Sequence, residues 1–269
     1  MKKISFKSLK FRTPFISGGV LFLIILLAAF APVRAAEEDA KKMVKAMSDY
    51  VAGEKSISFA YDSIFEVVTK EHQTIGLASS GTIVMRRPDK IRATRSGGFA
   101  DVEMLFDGKM LTMLGKNANA YAQMDFTGSI DQLIDELKNK HDRPLPAADL
   151  LMTDVYGQLM PDVTDIKDLG SGVIGGIECD HFAFRNKDVD WQIWITQGEH
   201  PHPARYVIKS VKVPDGPSYS IQIRDWKTGD QVAADEFAFA NKTNAKKIDP
   251  KDIPEMDELP KHFAMGGTK

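Results

Sequence analysis

Cysteine is nearly missing from this 269-residue chain, where Cys179 stands alone. One thiol cannot close an internal disulfide, so a packed core must hold the fold. Metal-binding spacings are missing as well: there is no CxxC, no HxxxH, and no third histidine to reinforce His200 and His202. The two prolines in Glu199-His200-Pro201-His202-Pro203 favour a rigid turn instead. No GxSxG and no P-loop occur. The glycine-rich run Gly170 to Gly176 precedes a strand rather than a helix, so it lacks the helix N-terminus that a phosphate cradle needs.

Excess positive charge is missing from everything after the first segment. Lys2, Lys3, Lys7, Lys10 and Arg12 precede an apolar run from Phe15 to Ala31, and Val33-Arg34-Ala35 offers the small residues a signal peptidase reads. This predicts export, with cleavage after Ala35. A retained membrane anchor competes with this reading, but the run is short for a span and a cleavage site follows it directly. No cysteine lies near the cut, so no lipid anchor is expected there, and the expected location is the periplasm. Residues 1–35 carry six basic side chains and no acidic ones, which leaves 29 basic against 37 acidic and a net charge of −8. That balance makes the chain a poor candidate for gripping nucleic acid or anionic headgroups by charge. The remaining 234 residues suit a single domain, expected over 36–245, with a polar, proline-spaced tail over 246–269 that is extended or disordered.

Apolar periodicity sets the element order. Ala40, Met43, Val44, Met47, Tyr50 and Val51 have helical spacing, and Gly53 ends that helix. Alternating β-rich runs follow: ISFAYDSIFEVVT, ASSGTIVMRR and KIRATRSG. Asp107-Gly108 between two apolar runs predicts a tight hairpin, and another strand covers Ala118 to Asp125. Ser129 and Gln132 form a capping box for a helix with the stripe Ile130, Leu133, Ile134 and Leu137. A second mid-chain helix is expected to start near Pro146 and bury Leu150, Leu151, Val155 and Leu159. Strands then return through RYVIKSVKV, PSYSIQIRDW and, last, DEFAFA. So many strands joined by short turns predict a mainly β (α+β) fold. It would have one large antiparallel sheet with about three helices packed on one side, and a strongly curved sheet would enclose an apolar space.

The run CDHFAFRNKDVDWQIWI, Cys179 to Ile195, raises the question of a Cys/His/Asp active site. Strand alternation places Cys179 and His181 on one face, roughly 6–7 Å apart, and Asp180 on the other. A turn at Asn186-Lys187 pairs Phe184 with Val189, Phe182 with Trp191, Arg185 with Asp188 and His181 with Gln192. Phe182, Phe184, Trp191, Ile193 and Ile195 then share one apolar face. Cys179 reads as a buried small thiol rather than a nucleophile. Arg86, Arg87, Arg92 and Arg95 read as a solvated basic cluster with local acids, or as a meeting point for a partner or headgroup. Twelve methionines suit irregular or adaptable apolar spaces.

The helix AKKMVKAMSDY, the strand-turn GTIVMRRPDKIRA, the LFDGKML hairpin, the mid-chain helices and the closing DEFAFAN resemble the lipoprotein-localisation superfamily of periplasmic carriers. More specifically, GVIGGIECDHFAFRNKDVDWQIWITQGEHPHPARYVI resembles a family of predicted periplasmic proteins within it. The resemblance spans roughly residues 37–245. It implies an unclosed half-barrel whose helices form a lid over a hydrophobic cavity for lipid or lipoprotein acyl chains. On that reading Phe182, Phe184, Trp191, Ile193 and Ile195 line the sheet, and Leu133, Leu137, Leu150 and Leu151 line the lid. It implies no cofactor, no metal and no covalent chemistry, and a monomer is expected. The alternative partner is an envelope protein bound by the same fold.

Overall fold

A computed structural model describes residues 31–98, 100–140, 147–212 and 215–250 of the chain. Residues 1–30 of the expected signal segment (1–35) and residues 251–269 of the expected tail (246–269) lie outside the described residues. So does Pro146.

The described part opens with helix α1 (Ala31–Gly53) and then folds into a six-strand meander. Its strands are β1 (Ser56–Val68), β2 (Thr74–Arg86), β3 (Lys90–Gly97), β4 (Asp101–Phe106), β5 (Met110–Gly115) and β6 (Ala120–Asp125). Helix α2 (Ile130–Lys140), a 3-10 turn at Ala148–Leu151 and the short helix α3 (Val155–Leu159) follow. A second meander runs through β7 (Asp165–Ile174), β8 (Ile177–Arg185), β9 (Val189–Thr196), β10 (Pro203–Ser210) and β11 (Ser218–Thr228). Its last strand pairs antiparallel with β1, so the two meanders merge into one sheet. The two-residue strand β12 (Lys246–Lys247) adds parallel to β6. The strand order is β12-β6-β5-β4-β3-β2-β1-β11-β10-β9-β8-β7. First and last strands do not pair, so the curved sheet remains an unclosed half-barrel with the helices on its concave face.

Alternation sets which side is core. Along β1, Ile57, Phe59, Tyr61 and Ser63 are buried, whereas Asp62, Ile64 and Glu66 are exposed. Ile57 pairs with Met85, and Met85 in turn with Ile91, carrying the apolar face across three strands. Tyr61 lies across β2 and its hydroxyl donates to the Thr94 carbonyl at 2.9 Å. Only glycine fits beneath it: a Cβ on Gly81 would stand 1.9 Å from the Thr94 oxygen and 2.6 Å from the Tyr61 hydroxyl. On the helix side Ala40, Val44, Met47 and Val51 of α1 are buried, as the apolar spacing predicts. At α2 the Gln132 N–H donates to Ser129 Oγ (3.2 Å) while the Ser129 N–H donates to Gln132 Oε1 (2.9 Å). This is the capping box expected from the sequence.

Two expectations about elements fail. The expected second mid-chain helix is broken between Leu151 and Val155. The N–H of Thr153 turns to the Asp131 carboxylate of α2 (3.1 Å), and Asp154 caps α3 by accepting from the Gly157 N–H (2.8 Å). Polar side chains thus take backbone donors that a continuous helix would have used. The segment DEFAFA is not a strand of the sheet either. It crosses the outer face of β2–β6 as a strap, with Arg92 holding Asp235 at 2.7 Å, Arg86 over the Phe237 ring at 5.9 Å, and Phe239 against Tyr121 at 4.6 Å. An extended apolar segment covering a sheet has the same alternation as a strand within it.

Candidate ligand-binding site

The β8–β9 hairpin provides most of the aromatic surface on the concave face. Its register pairs Phe182 with Ile193, Phe184 with Trp191 and Arg185 with Asp190. This is two residues from the expected pairing, which keeps each side chain on the expected face. The cause is a longer turn: the Asn186 side-chain oxygen accepts from the backbone N–H groups of Asp188 (2.8 Å) and Val189 (2.9 Å). Arg185 consequently forms a two-pronged bond with Asp190 (2.6 and 2.7 Å), not with Asp188. That guanidinium holds the Asp190 carboxyl below its usual range. His181 stands opposite Trp194, although its Nε2 still reaches Gln192 Oε1 at 3.0 Å.

Phe182, Phe184, Trp191, Ile193 and Ile195 are all buried on the inner face. Phe184 stacks on Trp191 with 4.0 Å between centroids, and Tyr206 of β10 borders Trp191 at 6.0 Å. From the helix side Leu133 and Leu150 are buried, while Leu137 and Leu151 pack against the same cluster half-buried. All nine residues proposed from the sequence therefore meet in one contiguous apolar body, sheet side chains against helix side chains. Sequence reasoning did not single out Tyr61, Tyr206, Tyr219, Ile221 and Ile223, which are buried in the same cluster. The alternation in ISFAYDSIFEVVT, RYVIKSVKV and PSYSIQIRDW carried that signal.

Beside α1, the rest of the cover is made of short pieces. α2 has 11 residues, the 3-10 turn 4 and α3 5. Helices this short are not stable alone, so packing and a few polar contacts hold them. The Ile130 N–H donates to the Pro88 carbonyl (2.8 Å), and the Tyr156 N–H to Ser48 Oγ of α1 (3.0 Å). Arg87 reaches over from the β2–β3 turn to Thr153 Oγ1 (3.2 Å) and the Met152 carbonyl (3.3 Å).

The polar candidates occupy the other side of the hairpin or its rim. Cys179 is fully buried, and burial pushes its thiol pKa up, away from the thiolate a nucleophile needs. His181 is stacked on Trp194 at 3.9 Å, and the Arg205 guanidinium lies 5.5 Å from the same indole. His202 stacks on Trp226 at 4.8 Å, with Nδ1 near Thr196 Oγ1 (3.1 Å) and the His200 carbonyl (2.9 Å), and burial lowers its pKa. Among the described residues no three His, Cys, Asp or Glu side chains converge as a metal site. The expected arginine cluster is dispersed. Arg92 faces outward between Glu103 and Asp235, Arg87 turns to the lid, Arg86 covers Phe237, and Arg95 falls on the opposite face from Arg92 by alternation.

Residues 40–250 match the family model "Predicted periplasmic protein (DUF2092)". The chain belongs to that family. No helix among the described residues is long and apolar enough to cross a membrane. No curated protein matches the sequence. Solved structures similar to this family member include an uncharacterized conserved protein from Thermus thermophilus, at 8% identity and TM-score 0.41, covering 78% of this chain and 99% of that one. The Mycobacterium tuberculosis lipoprotein LppX is similar at 14% identity and TM-score 0.36, with 73% and 100% covered. A LolA superfamily protein from Nitrosomonas europaea is similar at 11% identity and TM-score 0.29, with 71% and 94% covered.

Proposed function

We propose that the protein is a periplasmic binder of lipid, holding an acyl chain between the inner face of β8–β10 and the cover formed by α2, the 3-10 turn and α3. One observation carries the reading: beside α1, a continuous aromatic and aliphatic sheet face is covered by short helical pieces with few polar ties. Lifting that cover exchanges the contacts of Leu133, Leu137, Leu150 and Leu151 for acyl methylenes, each contributing about 0.8 kcal/mol on burial. Phe182, Phe184, Trp191, Ile193 and Ile195 form the fixed wall. The half-buried Leu137 and Leu151 meet the ligand first. The site as read needs no cofactor and makes no covalent bond.

The test is mass spectrometry of solvent extracts from the protein purified out of cell envelopes. Lipid is expected with the wild type and is expected to be lost from Leu151→Asp and Trp191→Asp. Absence of lipid from a folded wild type overturns the proposal.

A second reading keeps the fold and makes its rim a protein-docking edge. β7 is an outer strand of the sheet, and Leu169 (47% exposed), Val173 (68%) and nearby Ile177 (53%) leave apolar surface beside it. Under this reading a site-specific photocrosslinker at Val173 traps an envelope protein in vivo, and Val173→Lys abolishes the capture. Failure to trap any protein removes it.

A further inference from the structure

On the outer face of β9–β11, the half-buried Arg205 has no counter-ion. It pairs across the strands with Trp194 on one side and Gln222 on the other. Alternation turns all three side chains outward, since Ile193, Tyr206 and Ile221 are buried on the inner face. The Arg205 guanidinium lies 5.5 Å from the centre of the Trp194 indole. Its Nε is buried and meets no acceptor. Among the described residues it pairs with no carboxylate, and the Gln222 amide donates no hydrogen bond. The next carboxylate along the row is Asp62, opposite Gln222. It is already taken by Arg224 at 3.0 Å and by Ser80 at 2.6 Å. Two neighbouring donor groups therefore face outward with no acceptor of their own. A partly desolvated charge without a partner is costly, so its persistence calls for a reason.

The β7–β8 turn borders the row. A Cβ on Gly175 would stand 4.0 Å from Gln222 Nε2, and one on Gly172 2.9 Å from Trp194 Nε1. Glycine at both places brings the hairpin backbone close without crowding the side chains beneath it.

We propose that Arg205 and Gln222 form a binding site for the phosphate group of a phosphate ester. The two terminal nitrogens of the guanidinium take two oxygens as a fork, and the Gln222 amide takes a third. Trp194 holds the guanidinium flat, so little freedom remains to be lost on binding. The site lies on the opposite side of the sheet from the acyl face and does not depend on it.

Glycerol phosphate is the probe, titrated at constant ionic strength and followed by NMR of the arginine Nε–H and glutamine amide signals. Saturable shifts are expected at Arg205 and Gln222. Arg205→Lys keeps the charge but loses the fork, and is expected to weaken binding about tenfold. Gln222→Ala, at a half-buried outer position, is expected to weaken it as well and reports even if Arg205→Lys fails to fold. Absence of saturable shifts overturns the proposal, as does unchanged affinity in the variants. Equal shifts at Arg205 and at the exposed, stacked Arg86 would show general attraction to cations and also overturn it. A second arm sediments the protein with phosphatidylglycerol vesicles. Arg205-dependent sedimentation assigns the phosphate to a lipid headgroup, and glycerol phosphate binding without sedimentation assigns it to a soluble ester.

Discussion

Phe184 and Trp191 stand directly opposite each other on β8 and β9, their rings 4.0 Å apart and parallel to within 12°. The pair lies at the centre of the apolar face, with Tyr206 beyond it on β10 and the helices above. Truncating Trp191 to alanine is expected to cost about 3–5 kcal/mol in denaturant unfolding, because the large void cannot collapse. A double-mutant cycle with Phe184→Ala should show a coupling of about 0.5–1.5 kcal/mol from the stack itself. Strict additivity of the two losses would contradict direct packing.

Gly81 is the tightest point of the concave face. A methyl group there meets the Thr94 carbonyl at 1.9 Å and the Tyr61 ring and hydroxyl at 2.6–2.7 Å. Gly81→Ala is therefore expected to destabilise by at least about 1–3 kcal/mol, the usual range for overpacking. Thermal melts should show that Tyr61→Ala relieves only part of the loss, since the clash with backbone remains.

Cys179 is fully buried and its thiol is held protonated by that burial. A thiol reagent such as dithionitrobenzoate should label it in denaturant and leave it untouched in the native protein. Cys179→Ala should retain any lipid that the wild type carries. Rapid native labelling would show an accessible thiolate and reopen the question of chemistry at this position.

Burial lowers the pKa of His202 in the fold. Its unfolded value is near 6.5, so the unfolded chain takes up a proton that the native state resists. The stability it contributes is complete above about pH 6.5 and is lost as pH falls below that value. The midpoint of thermal unfolding should drop between pH 7 and pH 5.5, and His202→Phe, which keeps the stack on Trp226, should flatten that slope. An equal slope in both proteins would assign the pH dependence elsewhere.

Much of this arrangement is legible in residue order alone. The α1 stripe, the capping box of α2, the Asp107-Gly108 hairpin and the parity of the β8–β9 hairpin all follow from local periodicity and side-chain hydrogen bonding. Periods of 3.6 and 2 leave direct marks in a sequence. The exact pairing of Phe184 was not legible, because a two-residue change in turn length preserves every facing and therefore every hydrophobic pattern. The break before α3 depended on Asp131, 22 residues away from Thr153, accepting a backbone N–H. Such a long-range partner has no local signature.

What the sequence by itself determined is which side chains are apolar, which face of each element they share, and hence a mainly β fold with one buried side. What only the tertiary structure decided is where extended segments go when several apolar faces compete for cover. DEFAFA became a strap instead of a strand because Arg92, Arg86 and Tyr121 on the outer face gave it ionic, cation–π and aromatic partners at once. The four neighbouring arginines went to different surroundings for the same reason: strand alternation and the turn before Asp89 direct them apart, and only the folded chain supplies the carboxylates, carbonyls and rings they meet.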